Sequence, residues 1–483
     1  MYLSRLLPVI GFVLSLYACQ TGPRKGEVTR IDSSNIDNYC TQHETTANKD
    51  GFQLKNQSSF IATKSKYRNF QFTAKIKTTP GTEGVLTFAV PDISSPQNGY
   101  TVKINNSDYR TGNPQKTGSL SNIRNNFVRT ATDGEWFTLA VNVDGNHIKV
   151  LVDNKIITEY IEPANLQRQG ELTGKILSEG LITIGKQGAE GEMLISELSI
   201  LPLEGAAKPE SAATAEPDSL MKVVDQLNQQ VFPLIDFHGH LKGGLTMDQA
   251  CQHARDNGYN YGIAANCGLK FPVTSDSTLN AYLNGISKEP VFKVMQCEGR
   301  EWVTLFSPAA VARFDYIFTD AMTWTDTKNR RMRLWMPAEV FVDDEQKFMD
   351  MLVGKIEAIM SAEPVDIYVN PTFLPAKIEA DYDRLWTPER MDRVIKVLKD
   401  NDVALEINAR YKIPHMAFLQ RAKQAGLKFT FGTNNTSNND LGRLEYCLKA
   451  ISELGLIADD IFLPRSVNDK KVIKSGLPSK ITG

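Results

Sequence analysis

The stretch Leu234-Ile235-Asp236-Phe237-His238-Gly239-His240 decides how the second half of this 483-residue chain is interpreted. A short apolar run predicts a buried β-strand, and the strand ends in two of the six histidines of the chain. Because side chains at i and i+2 lie on one face of a strand, His238 and His240 can reach one point beyond its end. The pair therefore indicates a metal site or a catalytic site, the alternative being a surface strand with two unrelated histidines.

After this strand, apolar segments alternate with helical patterns. Predicted strands lie at 234–237, 261–265, 291–296, 316–319, 366–369, 404–407 and 428–431, and predicted helices at 246–257, 345–361, 388–401, 415–425 and 442–454. Repeated βα units predict a parallel sheet with right-handed connections. About seven units in roughly 240 residues fit a closed (β/α)7 or (β/α)8 barrel.

Polar residues follow most of the predicted barrel strands. In a barrel these strand ends meet at one mouth, where groups of this kind can hold a divalent cation and orient a sugar or a phosphoester. The residues are His238, His240, Asn266, Cys267, Glu298, Glu301, Asp320, Asn370, Glu406, Asn408, Asn434 and Asn435.

The first half of the chain follows a different pattern. Period-two segments at 70–76, 85–90, 137–143 and 147–152 are separated by turn pairs, which predicts an all-β sandwich. The predicted order is a signal peptide at 1–18, a tether and first strand at 19–49, the sandwich at 50–203, an Ala-, Pro- and Glu-rich linker at 204–225, the barrel at 226–470 and a tail at 471–483.

The N-terminal sequence predicts that the protein is located in the cell envelope. Arg5 precedes an apolar stretch of signal-peptide length, and Leu16-Tyr17-Ala18-Cys19 resembles a bacterial lipobox. The resemblance implies cleavage before Cys19 and lipidation of its thiol; the alternative is an uncleaved membrane anchor. Gln20 favours the outer membrane, with the protein facing either the periplasm or the cell surface.

Composition is that of a folded soluble protein, with 41% hydrophobic and 23% charged residues. The formal charge of −2 gives no indication of a nucleic-acid partner. The remaining five cysteines form no CxxC pair, so most are expected to be buried thiols, although Cys267 and Cys297 could reach the mouth.

The second half of the chain, over roughly 230–465, resembles the polymerase-and-histidinol-phosphatase family. The resemblance is carried by 236–240, 299–301, 314–318, 406–410 and 429–434. It implies a distorted (β/α)7 barrel in which His, Glu and Asp ligands hold metals that activate water. His238 and His240 match the HxH ligands of the family, and Glu301 matches its bridging glutamate.

Several expected ligands of that family are missing. The Ser-Asp-Ala-His element is replaced by Thr433-Asn434-Asn435-Thr436, and Asn370 stands where a histidine is expected. Three hypotheses follow: one divalent metal (Zn, Mn or Fe) held by His238, His240 and Glu301, with or without Asp320; a metal-free acid/base site; or a barrel that binds without reacting.

The remaining roles at the mouth are assigned by residue type. We predict that Asp320 or Glu406 is the base and that Asn408 and Asn434 orient the substrate. Arg300 and Arg410 are predicted substrate-binding residues, because guanidinium groups bind carboxylates and phosphates. Three tryptophans and three further arginines either rim the mouth or belong to the core and a solvated loop; they are Trp302, Trp324, Trp335, Arg330, Arg331 and Arg333.

The sandwich resembles the 3-keto-disaccharide hydrolase family, a concanavalin-A-like jelly roll, over roughly 50–203. The carriers are 98–109, 116–120 and Gly134-Glu135-Trp136. The resemblance implies action on glycosides oxidised at C3. Thr101 stands where the family usually has glutamate, which favours a carbohydrate-binding module, with Asn105 and Asp108 as sugar contacts. The alternative is a purely structural sandwich.

Together these features predict an envelope-anchored hydrolase or lyase that acts on a glycoside or modified sugar. The barrel would carry metal-assisted chemistry and the sandwich would bind carbohydrate. The alternatives are a non-catalytic glycan-binding lipoprotein and a metal-dependent phosphoesterase, the second of which is disfavoured by the missing Asp-x-His element.

Overall fold

A computed structural model describes residues 26–96, 98–109, 113–204 and 219–479. The predicted signal peptide, Cys19 and most of the predicted linker lie outside the described residues. Among the helices that the structure describes, none is long and apolar enough to cross a membrane.

The first half folds into a sandwich of two antiparallel sheets and one short helix, α1 (Ile36–Tyr39). One sheet has the order β11-β10-β9-β6-β13-β4-β3, with β1 also paired to β13, and the other has the order β2-β5-β12-β7-β8. The strands are β1 (Thr29–Ile31), β2 (Cys40–His43), β3 (Thr45–Asn48), β4 (Gly51–Leu54), β5 (Phe60–Thr63), β6 (Phe70–Thr78), β7 (Gly84–Val90), β8 (Tyr100–Ile104), β9 (Phe137–Asp144), β10 (His147–Val152), β11 (Lys155–Ile161), β12 (Leu181–Lys186) and β13 (Met193–Pro202).

Alternation of apolar and polar residues explains how the two sheets pack. In β6, Phe70, Phe72, Ala74 and Ile76 are buried while the residues between them are more exposed, because successive side chains point to opposite faces. The inner faces of both sheets form one apolar core. The predicted sandwich is confirmed, and it already includes β1, β2 and β3, which precede the predicted start at residue 50.

The second half closes into a parallel barrel of seven strands, in the order β14-β15-β16-β17-β20-β21-β22. This confirms the predicted parallel sheet in its closed, seven-stranded form. An antiparallel hairpin, β18-β19, follows β17. The strands are β14 (Ile235–Gly239), β15 (Asn260–Cys267), β16 (Phe292–Cys297), β17 (Tyr316–Thr319), β18 (Thr323–Thr325), β19 (Arg331–Arg333), β20 (Ile367–Tyr368), β21 (Ala404–Asn408) and β22 (Phe429–Gly432).

Helices connect the barrel strands. They are α2 (Ser219–Gln229), α3 (Met247–Asn257), α4 (Asp276–Gly285), α5 (Trp302–Leu305), α6 (Pro308–Val311), α7 (Glu345–Ala362), α8 (Tyr382–Leu385), α9 (Pro388–Asp400), α10 (Met416–Gln424), α11 (Glu445–Leu454) and α12 (Lys471–Ser475). Single 3-10 turns lie at Gly170–Leu172, Pro337–Glu339, Glu379–Asp381, Ala458–Asp460 and Val467–Asp469. The helix α2 begins inside the predicted linker.

Local sequence fixes where the helices begin and end. Thr246 caps α3 through a reciprocal capping box with Gln249, and Gly258 ends the helix in a left-handed conformation. Thr387 caps α9, and Pro388 occupies its first turn, where its missing N–H costs nothing. The parallel arrangement of the closed barrel places the carboxyl ends of its strands at one rim.

The sandwich packs directly on the barrel. The backbone N–H of Asn125 donates to the side chain of Asn228 (2.9 Å), and that of Phe127 donates to the side chain of Asn260 (2.8 Å). Phe127 also belongs to the apolar core of the barrel. The two halves therefore share buried polar and apolar contacts.

Candidate functional site

A cavity of about 360 Å³ opens at the carboxyl ends of the barrel strands. Most of its lining residues have polar side chains, and they come from the ends of the seven strands and the loops that follow them. The lining residues are Lys242, Asn266, Phe271, Pro272, Gln296, Glu298, Asp320, Met322, Trp335, Asn370, Arg410, Tyr411 and Asn434.

His238 lies at the end of β14, fully buried, and is oriented by a carboxylate. Its Nδ1 is 2.6 Å from Oε1 of Glu406 on β21. The other oxygen of Glu406 accepts the backbone N–H of Asn370 (2.6 Å) and the side-chain amide of Asn408 (3.0 Å). An acceptor held by these donors fixes the imidazole with Nδ1 as its donor.

His240 is oriented by the backbone. Its Nδ1 is 3.2 Å from the carbonyl oxygen of Ala264, which can only accept, so Nδ1 carries the proton. Asn435 accepts the backbone N–H of His240 (2.7 Å) and donates to its carbonyl oxygen (2.9 Å). Burial, strengthened by the charges of His238 and Lys242, lowers the pKa of His240 well below its usual value, which keeps the ring neutral.

The two histidines both turn Nε2 into the protein interior. Both Nε2 atoms are buried without a hydrogen-bond partner among the described residues, and the ring centroids are 5.2 Å apart. Neither histidine is part of the cavity lining. Two oriented imidazoles with unpartnered nitrogens are the part of the predicted metal centre that the structure assembles.

The predicted third ligand is elsewhere. Glu301 precedes α5, and its carboxylate pairs with Arg331 at 2.6 Å, on the β18-β19 hairpin, outside the cavity lining. In the described part of the chain, no group of three or more His, Cys, Asp or Glu side chains is arranged to hold a metal ion. A catalytic zinc usually has three protein ligands, so the residues present do not fit the predicted centre of His238, His240 and Glu301.

Two carboxyl groups face the cavity instead. Glu298 follows β16 and accepts the side-chain amide of Asn266 (2.6 Å). Burial, with the nearby charge of Asp320, raises the pKa of Glu298 to about 7. Burial also raises the pKa of Asp320. The hydrogen bond from the backbone N–H of Met322 (3.0 Å) and the charge of Arg300 act in the opposite direction and lower it. Burial therefore favours the protonated form of both carboxyls, and for Glu298 the nearby charge of Asp320 adds to this effect.

Positive charge borders this pair. Lys242 and Arg410 both line the cavity, and burial lowers the pKa of Lys242, although the carboxylate of Glu298 opposes this effect. Arg410 donates to the backbone carbonyl of Asn434 (3.3 Å). The side chain of Asn434 donates to that of Asn370 (2.9 Å). The structure therefore places Arg410 and Asn434 where a substrate could contact them.

Other predicted residues have supporting positions. Glu406 and Asn408 are buried outside the cavity lining and hold His238 and Asn370, so neither can act directly on a ligand in the cavity. Arg300 is also buried and absent from the lining. Its guanidinium pairs with Glu363 (2.8 Å) and donates to Thr319 (2.7 Å), which corrects its assignment to substrate binding.

Of the tryptophans and arginines predicted either to rim the mouth or to belong to the core and a solvated loop, one lines the cavity. Trp335 lines the cavity, whereas Trp302 and Trp324 are core residues. The three arginines are paired on the surface: Arg330 with Asp326, Arg331 with Glu301 and Arg333 with Glu339. Cys267 and Cys297 are buried free thiols.

The predicted sugar contacts of the sandwich take different positions. Asn105 is buried, and its amide donates to the carbonyls of Asn113 (2.9 Å) and Gln115 (3.0 Å), which corrects its assignment as a sugar contact. Asp108 borders a cavity between sandwich and barrel that also contains Arg129 and Lys293. Neither residue lines the groove on the five-stranded sheet.

The sequence did not single out Glu298 and Lys242 as functional. Both follow barrel strands, and Glu298 was among the polar strand ends. The family resemblance favoured Glu301, three positions later, where Gly299 adopts a left-handed conformation (φ 66°) and turns the chain. Of the two glutamates, the one directly after the strand lines the cavity.

One family model matches most of the first half of the chain. Residues 28–195 match the family model described as a 3-keto-alpha-glucoside-1,2-lyase-like domain. The search of curated proteins gave no match.

Solved structures resemble each half separately. A predicted glycosyl hydrolase from Parabacteroides distasonis is 18% identical, with 37% of this chain and 100% of that chain covered and a TM-score of 0.30. Carbohydrate-binding module CBM66 from Bacillus subtilis is 15% identical, with coverages of 38% and 95% and a TM-score of 0.22. Histidinol phosphate phosphatase from Lactococcus lactis, complexed with zinc, L-histidinol and phosphate, is 13% identical, with coverages of 49% and 98% and a TM-score of 0.36. None of these scores reaches 0.5, so they say nothing about the activity of this chain.

Proposed function

We propose that this protein is a carbohydrate-cleaving enzyme whose acid/base site is the cavity at the barrel mouth. The observation that carries the proposal is the pair of buried carboxyls, Glu298 and Asp320, facing one polar cavity with raised pKa values. The match of residues 28–195 to a domain family named for a keto-glucoside lyase supports a sugar as the substrate.

The two carboxyls have different roles in this proposal. Glu298 is the proton donor, because burial keeps it protonated up to about pH 7. Asp320 is the base, since it accepts the N–H of Met322 and the amide of Asn370 (3.4 Å), which favour its ionised form. Lys242 and Arg410 provide positive charge for the enolate that would develop if a 3-keto sugar is cleaved by elimination.

Two reactions of a glycoside are compatible with this pair. In hydrolysis, Asp320 removes a proton from water as the water oxygen bonds to the anomeric carbon; the bond to the leaving oxygen breaks and that oxygen takes the proton of Glu298. In elimination from a 3-keto sugar, Asp320 removes the proton from C2, a C1–C2 double bond forms, and the C1–O bond breaks with protonation by Glu298. Either route leaves Glu298 ionised and Asp320 protonated.

The experiment is a product assay on 3-keto-glucosides and on the same glucosides unoxidised. We expect turnover by the purified protein and a loss of at least about 100-fold in kcat for both Glu298→Gln and Asp320→Asn, because each removes one proton-transfer group. Asp315→Asn, outside the cavity lining, is the control and is expected to keep activity.

Turnover that is unchanged in Glu298→Gln would contradict the proposal. Saturable glycan binding without turnover of any substrate would instead favour a glycan-binding protein without catalysis. A phosphatase screen run beside the glycoside assay tests the phosphoesterase hypothesis.

The family resemblance of the barrel implies that the histidine pair, His238 and His240, binds a divalent metal. This remains a prediction. Elemental analysis of the purified protein beside His238→Ala tests the metal directly. Because the structure assembles only two of the three predicted ligands, we expect less than one equivalent of Zn, Mn or Fe after dialysis. One equivalent that is lost in His238→Ala would restore the metal hypothesis.

We also propose that the protein is a lipoprotein anchored in the outer membrane. The lipobox-like sequence at Leu16-Tyr17-Ala18-Cys19 supports this proposal. Labelling with a radioactive fatty acid is expected for the full chain and not for Cys19→Ser. Fractionation of the labelled cells tests whether the protein is located in the outer membrane.

A further inference from the structure

A groove of about 760 Å³ lies on the outer face of the five-stranded sheet. Its lining residues all belong to the sandwich, and none of them lines the barrel cavity. Residues that are paired across neighbouring strands form part of its floor. Thr87 on β7 is paired with Thr101 on β8 and with Thr183 on β12, and all three line the groove. Their strand neighbours, such as Leu86 and Val102, point into the core.

Three lysines line this groove: Lys103 on β8, Lys175 and Lys186. Lys175 and Lys186 are only 8% and 3% exposed, which is unusual for lysine. Their ammonium groups meet neutral acceptors: Lys103 donates to the side chain of Gln187 (3.2 Å), Lys175 to the carbonyl of Ser121 (2.9 Å) and Lys186 to that of Gly188. An ammonium group has three donors, so donors remain for a ligand.

The charges of the groove are unbalanced. Glu171 is the acidic residue in its lining, against three lysines. Burial, together with the charges of Lys103 and Arg168, lowers the pKa of Lys175 to about 8, although Glu171 opposes this effect. Burial also lowers the pKa of Lys103, opposed by the charge of Glu83, and the pKa of Lys186, opposed by the charge of Glu192, both of which lie outside the lining. A bound anion would relieve this repulsion and favour the charged lysines.

The rest of the lining suits a sugar. Phe60, Ile93 and Pro96 provide apolar surface, and Thr87, Thr101 and Thr183 are the threonines of the lining. Ligand sites commonly combine apolar walls with a few placed polar groups.

We propose that this lysine groove binds a carbohydrate that carries carboxylate or sulfate groups. The proposal names the substrate class of the function proposed above and rests on it for the assignment of a glycan ligand. The geometry that carries it is the convergence of three lysines with neutral partners on one groove of the sandwich.

The test is titration calorimetry on the full chain with two matched ligand pairs. One pair is oligogalacturonate and its methyl ester, which removes the carboxylate charge. The other is chondroitin sulfate oligosaccharide and its desulfated form. We expect the charged member of at least one pair to bind at least about tenfold more tightly. The pair that shows the difference identifies the anion.

Lys175→Gln and Lys103→Gln are each expected to weaken that binding about tenfold or more. Lys49→Gln, on the exposed turn between β3 and β4, is the control and is expected to bind like the unaltered protein. Lys103 is less buried than Lys175, so it gives a folded variant if loss of the buried lysine prevents folding; thermal unfolding checks each variant.

Equal binding of charged and neutral members in both pairs, no binding of any of the four, or unchanged binding in both lysine variants overturns the proposal. The same titration on Glu298→Gln separates it from the barrel chemistry. Retained anion-selective binding there, with no turnover by any variant, would defeat the proposed reaction and leave the groove assignment intact.

Discussion

At the residue scale, two asparagines explain why the barrel departs from the resemblance found in its sequence. Asn370 and Asn434 both have left-handed backbone conformations, with φ of 47° and 41°. Asparagine tolerates this region better than most residues. Their amides hydrogen-bond each other and Asp320. These positions therefore hold the carboxyl group of Asp320, where the resemblance implied metal ligands.

His240 gives a prediction for stability against pH. Its folded pKa is lowered, so the unfolded chain binds the proton more readily below the ordinary value of 6.5, and stability present above that value is lost as pH falls. Between pH 7.5 and 5.5 we expect the free energy of unfolding to fall by about 1 kcal/mol from this group. Urea unfolding at both pH values measures it.

The matched variants are His240→Asn and His43→Asn. The fall should shrink in His240→Asn and persist in His43→Asn, which removes an exposed histidine of the sandwich. An equal fall in both variants would mean that His240 does not titrate as described.

At the element scale, the sequence predicted the strands of the barrel well because each is a short apolar run that ends in polar residues. It could not predict which polar ends meet. That depends on close packing of neighbouring strands. Gly432 at the end of β22 is an example, since a Cβ there would overlap the carboxyl group of Glu406 and lie 2.8 Å from Cβ of His238.

Gly432→Ala is therefore expected to destabilise the protein by about 1–3 kcal/mol, because a side chain would force β21 and β22 apart. The control is Gly354→Ala in α7, where an added Cβ meets nothing within 4 Å. That change should stabilise by about 0.5–1 kcal/mol through helix propensity. Denaturant unfolding compares the two; a neutral Gly432→Ala would contradict the packing argument.

At the scale of the whole molecule, composition shifts separated the two halves in the sequence, but the interface between them could not be predicted. It depends on asparagines whose partners are distant in sequence. Asn260 at the start of β15 accepts the backbone N–H of Phe127 and donates to the carbonyl of Asn125 (2.9 Å). These are contacts between sandwich and barrel.

We expect the unaltered protein to unfold in one calorimetric transition because of this interface. Asn260→Ala leaves a buried N–H and a buried carbonyl unpaired, which costs about 1–3 kcal/mol and should separate the transitions of the two halves. Asn257→Ala removes a contact within the barrel, to His253, and should keep one transition. Two transitions already present in the unaltered protein would contradict a coupled interface.

The acid/base account depends most directly on the proton held by Glu298 and Asp320. Carboxyl-carbon NMR of the protein labelled at glutamate and aspartate follows that proton without a substrate. The account predicts that Glu298 titrates near pH 7 and that Asp320→Asn lowers its pKa, because a repelling negative charge is removed. A Glu298 that titrates in the usual range of an exposed glutamate, unchanged by Asp320→Asn, would contradict the account.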